Sequence, residues 1–319
     1  VIDRRAVNAM LAATILVPVS GRAQEPRIGY LHPITVDPGH ITYSILSREW
    51  RRRGYVDGRT VLARSANRDL TRLPGLVREL LAEDVKVLLV VAADALRAAA
   101  QATTTTPIVA IDMETDPLEA GLVASYGRPG GNVTGLFLDQ PSLATKWIEL
   151  VQEAVPDLTR IVLAWQPSMG REQLDVALAA ARRRGLEPVV LQIDTTDDFE
   201  ARFASIAAPR SAVIQLTFPG FTLVAPRFAA AAHRHGIPTI SFLRAAAQNG
   251  ILMSYGPNQE DYWPRAIDIV DRIIQGERPA EIPIERPTRF EFCLNLKAAR
   301  DLGLTLPPTL VARADELFD

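Results

Sequence analysis

Apolar positions along the chain fall into two alternating forms. The run Val85 to Ala92 is apolar at nearly every position, as expected of a strand buried on both faces of a parallel sheet. Shorter runs of the same kind cover Arg27 to Leu31, Val61 and Leu62, Pro107 to Ile111, Arg160 to Ala164, Pro188 to Ile193, Ala212 to Leu216 and Pro238 to Phe242. Between them, apolar residues recur at helical spacing, as with Ile41, Ile45, Leu46 and Trp50 before the stop at Gly54. The same spacing predicts helices over Leu73 to Leu81, Asp94 to Ala102, Leu118 to Ser125, Glu172 to Arg184, Asp197 to Ile206 and Phe221 to His235. Strand starts repeat every roughly 20–35 residues, which βαβ units require.

The rhythm breaks once, between Asp116 and Gly135. Gly127, Pro129, Gly130 and Gly131 fall close together there and cannot continue a helix or a central strand. The chain is therefore expected to leave one α/β lobe for another at this point. Near the end, a strand-like Ile251 to Ser254, a helix Asp261 to Gln275, a proline-rich connector Pro279 to Pro287 and a strand Thr288 to Leu294 suggest a return visit to the first lobe. The predicted fold is α/β, with two doubly wound parallel-sheet lobes joined by a hinge of three crossings. The expected boundaries are 24–135 with 251–286 for the first lobe, and 136–250 with 287–319 for the second.

A chain of 319 residues has room for two such cores. The net charge of −2 supplies no basic field, so nucleic acid is not an expected partner. Arg4 and Arg5, the apolar run Ala6 to Val19, and Ser20-Gly21-Arg22-Ala23 have the pattern of a cleavable export signal over 1–23. The single cysteine, Cys293, sits in an apolar strand-like run and cannot form an internal disulfide. These features predict an exported, periplasmic protein without a lipid-anchor cysteine.

A set of motifs then resembles one family. They are Gly54-Tyr55-Val56-Asp57-Gly58-Arg59, Asp116-Pro117 through Gly121-Leu122-Val123-Ala124-Ser125, and Arg128-Pro129-Gly130-Gly131-Asn132-Val133-Thr134-Gly135. Gly250 to Pro257, Asn295 to Ala299, Leu302-Gly303-Leu304 and Ala312 to Glu316 continue the set to the end of the chain. Together they resemble the ABC transporter substrate-binding proteins of the type that includes tryptophan- and tyrosine-binding lipoproteins. The resemblance implies a type I periplasmic-binding fold, a small-molecule ligand, a membrane ABC permease as partner, no cofactor and no catalysis. The chain departs from the family at Ala92-Ala93-Asp94-Ala95, Trp165-Gln166-Pro167 and Thr217-Phe218-Pro219-Gly220-Phe221. All three fall where a cleft is expected, so the ligand cannot be carried over.

Ligands of open parallel sheets sit beyond the carboxyl ends of the strands. That rule selects His32, Thr35, Ala93, Asp94 and Asp116 from the first lobe, and Trp165, Gln166, Phe218, Phe221, Phe242 and Arg244 from the second, with Tyr255 following the returning strand Ile251 to Ser254. His32 would donate to a ligand carboxylate or else be a solvated loop histidine. Asp94 and Asp116 are ligand contacts or helix caps. Trp165, Phe218 and Phe221 offer flat faces to an aromatic or apolar ligand, or pack the lobe. Arg244 would pair with an anion or else be a solvated surface arginine, and Tyr255 would form the cleft wall. His32, Asp37 and His40 make a poor metal set, and no metal is expected. The expected function is capture of an aromatic or partly apolar carboxylate or amino acid by a monomer that closes around it. The alternatives are an exported α/β hydrolase or a ligand-sensing domain, but no Gly-x-Ser-x-Gly, His-Glu-x-x-His or Gly-x-x-x-x-Gly-Lys motif supports the hydrolase.

Overall fold

The computed structural model describes residues 25–34, 41–112, 115–138, 140–167, 171–194, 196–217 and 221–319. The predicted export signal lies outside these residues.

The first lobe is built from β1 (Ile28–His32), α1 (Ile41–Arg52), β2 (Val61–Ser65), α2 (Leu73–Ala82), β3 (Val87–Val91), α3 (Ala93–Ala102), β4 (Ile108–Asp112) and β5 (Val133–Phe137). Its five strands are all parallel, in the order β2-β1-β3-β4-β5. Every residue of β1, β3, β4 and β5 is buried, because helices cover both faces of the sheet. Tyr30, Val87 and Val109 pack on one face with Ile45 and Trp50 of α1, whereas Leu31, Leu88 and Ala110 pack on the other with the helices α2 and α3. This is the period-two alternation of strand side chains.

The second lobe begins with α4 (Gln140–Ala154) and continues through β6 (Arg160–Trp165), α5 (Glu172–Arg183), β7 (Glu187–Gln192), α6 (Phe199–Ile206), β8 (Ser211–Gln215), α7 (Phe221–Arg234), β9 (Thr239–Ser241), α8 (Arg244–Gln248) and β10 (Met253–Pro257). The chain then returns to the first lobe as α9 (Gln259–Ile274), and re-enters the second as β11 (Phe290–Asn295), α10 (Leu296–Asp301), α11 (Pro308–Ala312) and β12 (Glu316–Phe318). The second sheet runs β12-β11-β10-β9-β8-β6-β7 and is parallel except for the β10–β11 pair. Helix α4 packs against α5 and α11, while α6 packs against α7 and α7 against α8. Right-handed crossovers place these two groups on opposite faces.

Two expectations need correction. The span 251–286 does not lie wholly in the first lobe, because β10 pairs with β9 and β11 in the second sheet. The chain therefore crosses at 258. Leu118 to Ser125 is not a helix. Gly121 takes a left-handed φ of +68°, and the Ala124 N–H donates to Pro129 O at 2.8 Å, turning the segment back on itself. The proline-rich connector after α9 is held to the first sheet. Thr134 Oγ1 donates to Ile282 O at 2.9 Å, and the Glu285 N–H donates to Gly135 O at 2.9 Å. The connector runs along β5 and bridges Leu136 to Glu285.

Helix α9 carries the apolar stripe Tyr262, Trp263, Ala266, Ile267, Val270 and Ile273 against β3, β4 and β5. Its start is capped by Asn258, whose side chain accepts from the Glu260 N–H at 2.7 Å. On its outer side α9 meets α1 through ion pairs. Glu49 is 1% exposed and accepts from Arg53 at 2.7 Å and from Arg48 at 3.3 Å, while Arg53 also binds Asp268. Among the described residues no helix is long and apolar enough to cross a membrane.

Candidate functional site

Each sheet has a point where strand order reverses, and crevices open there at the carboxyl ends. In the first lobe the reversal lies between β1 and β3; in the second it lies between β6 and β8. The three connections leave the second sheet beside Pro257, which pairs with Phe290, and leave the first beside Phe137 and Glu285. These are the carboxyl ends of β10 and β5. Both sheets therefore turn their carboxyl edges toward the connections. No described helix or strand of one lobe packs broadly against one of the other, so the lobes meet chiefly through those connections.

At the first reversal, His32 ends β1 and is buried. Its Nδ1 lies 3.1 Å from Ile34 O and 3.2 Å from Ile34 N, and the tautomer sets which of the two it bonds. The Ala66 N–H donates to His32 O at 3.0 Å and the Arg68 N–H to Pro33 O at 2.9 Å, tying the loops after β1 and β2 together.

Across the crevice, Ala92 follows β3 with φ +69° and ψ +158°, a conformation that belongs almost wholly to glycine. It is held there because its N–H donates to Ile111 O at 2.9 Å and its carbonyl accepts from Leu96 at 3.1 Å. Ala92→Gly is expected to stabilise the protein by about 1 kcal/mol, the relief of strain less the entropy cost of glycine. The midpoint of urea unfolding checks this. Helix α3 begins at Ala93 without a side-chain cap. Asp94, in its first turn, pairs with Arg97 at 2.8 Å.

At the second reversal, Trp165 is buried at the end of β6 as part of the second-lobe core, with the Arg171 guanidinium 5.8 Å from its ring centre. Gln166 donates to Asp194 at 3.3 Å. Thr217, just past β8, donates its N–H to Gln173 Oε1 at 2.9 Å, and Gln173 Nε2 lies 3.4 Å from Thr217 Oγ1. Beneath them the Ser241 hydroxyl donates to Gln215 Oε1 at 2.7 Å, both side chains being fully buried. Gln173 was not a predicted site residue. It pairs with a residue 44 positions away, and nothing in local spacing announces such a pair.

Other predicted site residues have packing roles. Phe221 and Phe242 belong to the second-lobe core, Phe221 meeting Phe228 edge-on at 5.2 Å. Arg244 is not poised for an anion, because Glu316 holds it through bonds of 2.5 and 2.6 Å. Tyr255 lies within β10 and stacks on Phe290 at 5.7 Å. Burial, and then the charge of Asp315, raises its hydroxyl above the usual value. Asp116 accepts from Tyr126 at 2.5 Å and from the N–H groups of Leu118 and Glu119 at 2.9 and 3.2 Å. The Tyr126 bond, then those amides and Arg286, hold its carboxyl below the usual range. Burial pushes the Cys293 thiol up to about 11, the reverse of an activated nucleophile. Thr35 and Phe218 lie outside the described residues.

Two doubly wound lobes with paired crevices and a triple connection define a bilobal solute-binding protein with the type I periplasmic-binding fold. Residues 41–318 match the family described as ABC transporter substrate binding protein, and the chain belongs to it. A tyrosine-binding protein of Clostridioides difficile strain R20291 is 24% identical over 256 residues, covering 79% of this chain and 73% of that protein. A Streptococcus pneumonia ABC domain solved in complex with L-Trp superposes with a TM-score of 0.80 at 21% identity, covering 92% of this chain and all of that one. The ligand-free, open structure of a substrate binding protein with adhesive properties from Clostridium difficile gives a TM-score of 0.63 at 19% identity, covering 92% of this chain and 99% of that one. The family binds solutes without transforming them, and this chain is not an enzyme.

Proposed function

We propose that the protein is an exported, periplasmic solute receptor that captures an aromatic or partly apolar carboxylate or amino acid between its lobes and presents it to an ABC permease. The observation that carries this is the common orientation of the two reversal points. His32, Ala92 and Ala93 on one sheet, and Trp165, Gln166 and Thr217 on the other, end strands whose carboxyl edges both border the three connections. A ligand touching both edges favours a closed arrangement, since only there are both sets of contacts made. The start of α3, which has no side-chain cap, suits a carboxylate. The tyrosine-binding relative and the L-Trp complex support an aromatic amino acid as the first compound to try.

A thermal-shift screen over aromatic amino acids, aromatic acids and fatty acids tests the assignment. A true ligand at about 100 times its Kd stabilises the native state by about 2.7 kcal/mol and raises the melting temperature accordingly. If no compound raises it, capture of a small aromatic or apolar acid is ruled out.

A further inference from the structure

A cavity of 730 Å³ lies beside the hinge, lined by Leu136 of β5, by the second and third connections and by the first turns of α9. Its volume falls within the range of about 300–1,000 Å³ usual for small-molecule sites. Leu136, Pro257, Tyr262, Pro264 and Pro287 provide its apolar surface. Its lining shares no residue with either reversal point.

Three arginines line this cavity. Arg265 is locked to Glu285 by bonds of 2.9 and 2.6 Å. Arg286 lies 4.6 Å over the Tyr126 ring and donates to its hydroxyl at 2.8 Å. Arg289 is different. Its ion pair with Asp261 spans 3.7 Å, and the two side chains are 70% and 49% exposed. At that distance the pair is not a hydrogen bond, and exposed pairs of this kind contribute little.

We propose that this cavity is a second binding site, taking an α-amino acid with an apolar or aromatic side chain. The carboxylate meets Arg289, the ammonium meets Asp261, and the side chain lies on the proline and tyrosine surface. A zwitterion entering between Arg289 and Asp261 gives up a weak exposed pair and leaves neither charge without a partner. A plain carboxylate would sit against Asp261, and a plain amine against Arg289. Leu136, Tyr262 and Pro264 belong to the first lobe, whereas Pro257 and Arg289 lie on segments joined to the second sheet. Occupancy is therefore coupled to rotation of the lobes, and by linkage to affinity in the cleft.

Amide NMR of the full chain with L-phenylalanine as probe tests the proposal. The expected result is saturable shifts at Asn258, Asp261 and Thr288. Thr288→Trp, which fills the cavity from an exposed loop position, should abolish them. Arg289→Ala and Asp261→Asn should each weaken binding roughly tenfold, the worth of one charge-assisted bond, as should replacing the probe with 3-phenylpropanoate or phenethylamine. Unmoved hinge amides at millimolar L-phenylalanine, or shifts that all three variants leave intact, would overturn it. Shifts confined to His32, Asp94 and Thr217 would also overturn it while leaving the cleft site standing. Shifts confined to the hinge support it and count against L-phenylalanine as the cleft ligand.

Discussion

Gly135→Ala and Gly256→Ala are each expected to lower stability by about 3 kcal/mol or more, the combined scale of overpacking and backbone strain. A Cβ on Gly135 would collide with the backbone N, C and O of Ala110 on the neighbouring strand, and its φ of +138° is itself reserved for glycine. A Cβ on Gly256 would meet the carbonyl O and C of Phe242. Neither obstacle is the flexible end of a side chain, so neither can swing aside. Both glycines sit beside a crossing between lobes, one paired to the connector at Glu285 and the other facing Glu291 on β11. Urea unfolding followed by circular dichroism measures the loss. Gly131→Ala is the control, because nothing lies within 4 Å of its added Cβ and its φ is not positive; it should change stability by less than about 0.5 kcal/mol. Wild-type stability in Gly135→Ala would show that β4 and β5 do not approach so closely.

Glu49→Gln should lower stability by about 1.5 kcal/mol at neutral pH, because it weakens charge-assisted hydrogen bonds from Arg53 and Arg48, while Arg53 keeps Asp268 and Arg48 keeps Glu260. Glu49 is 1% exposed and serves Arg53, Arg48 and Arg52 together. Burial acts to raise its carboxyl, but hydrogen bonds from Arg53 and Arg48 and the fields of Arg52 and Arg53 outweigh it, so the net displacement is downward. A carboxyl depressed by folding adds stability that is complete above its unfolded value of about 4.3 and is lost as pH falls through the lower folded value. The difference between wild type and Glu49→Gln should therefore shrink as the solution is acidified through that window. Denaturation at a series of pH values would show it. A constant difference down to low pH would place the defect in packing rather than in charge.

Much of the lobe architecture could be read from local pattern. The run Val85 to Ala92 becomes β3, buried throughout, because a strand covered on both faces has no polar face to show. The stripe from Tyr262 to Ile273 becomes one side of α9 for the same reason at helical period. Leu118 to Ser125 has an apolar pattern as well, yet it is a turn, since Gly121 and the bond from Ala124 to Pro129 compete with the helix and prevail. Aromatics in loops after strands were the weakest guide. Phe221 and Phe242 end in the core because rings of that size find buried area near a strand end as readily as a ligand does.

By itself the sequence determined the alternation of strand and helix, the two-lobe division, the three crossings and the family, all written in period, punctuation and motif. The tertiary structure decided which sheet claims β10, how the 282–286 connector is clamped to β5, and that Gln173 serves Thr217 while Glu316 takes Arg244. The reason is one of range. Periodicity and turn chemistry act over a few residues, whereas strand pairing and buried hydrogen bonds join groups scores of positions apart, and they exist only once the two sheets have formed.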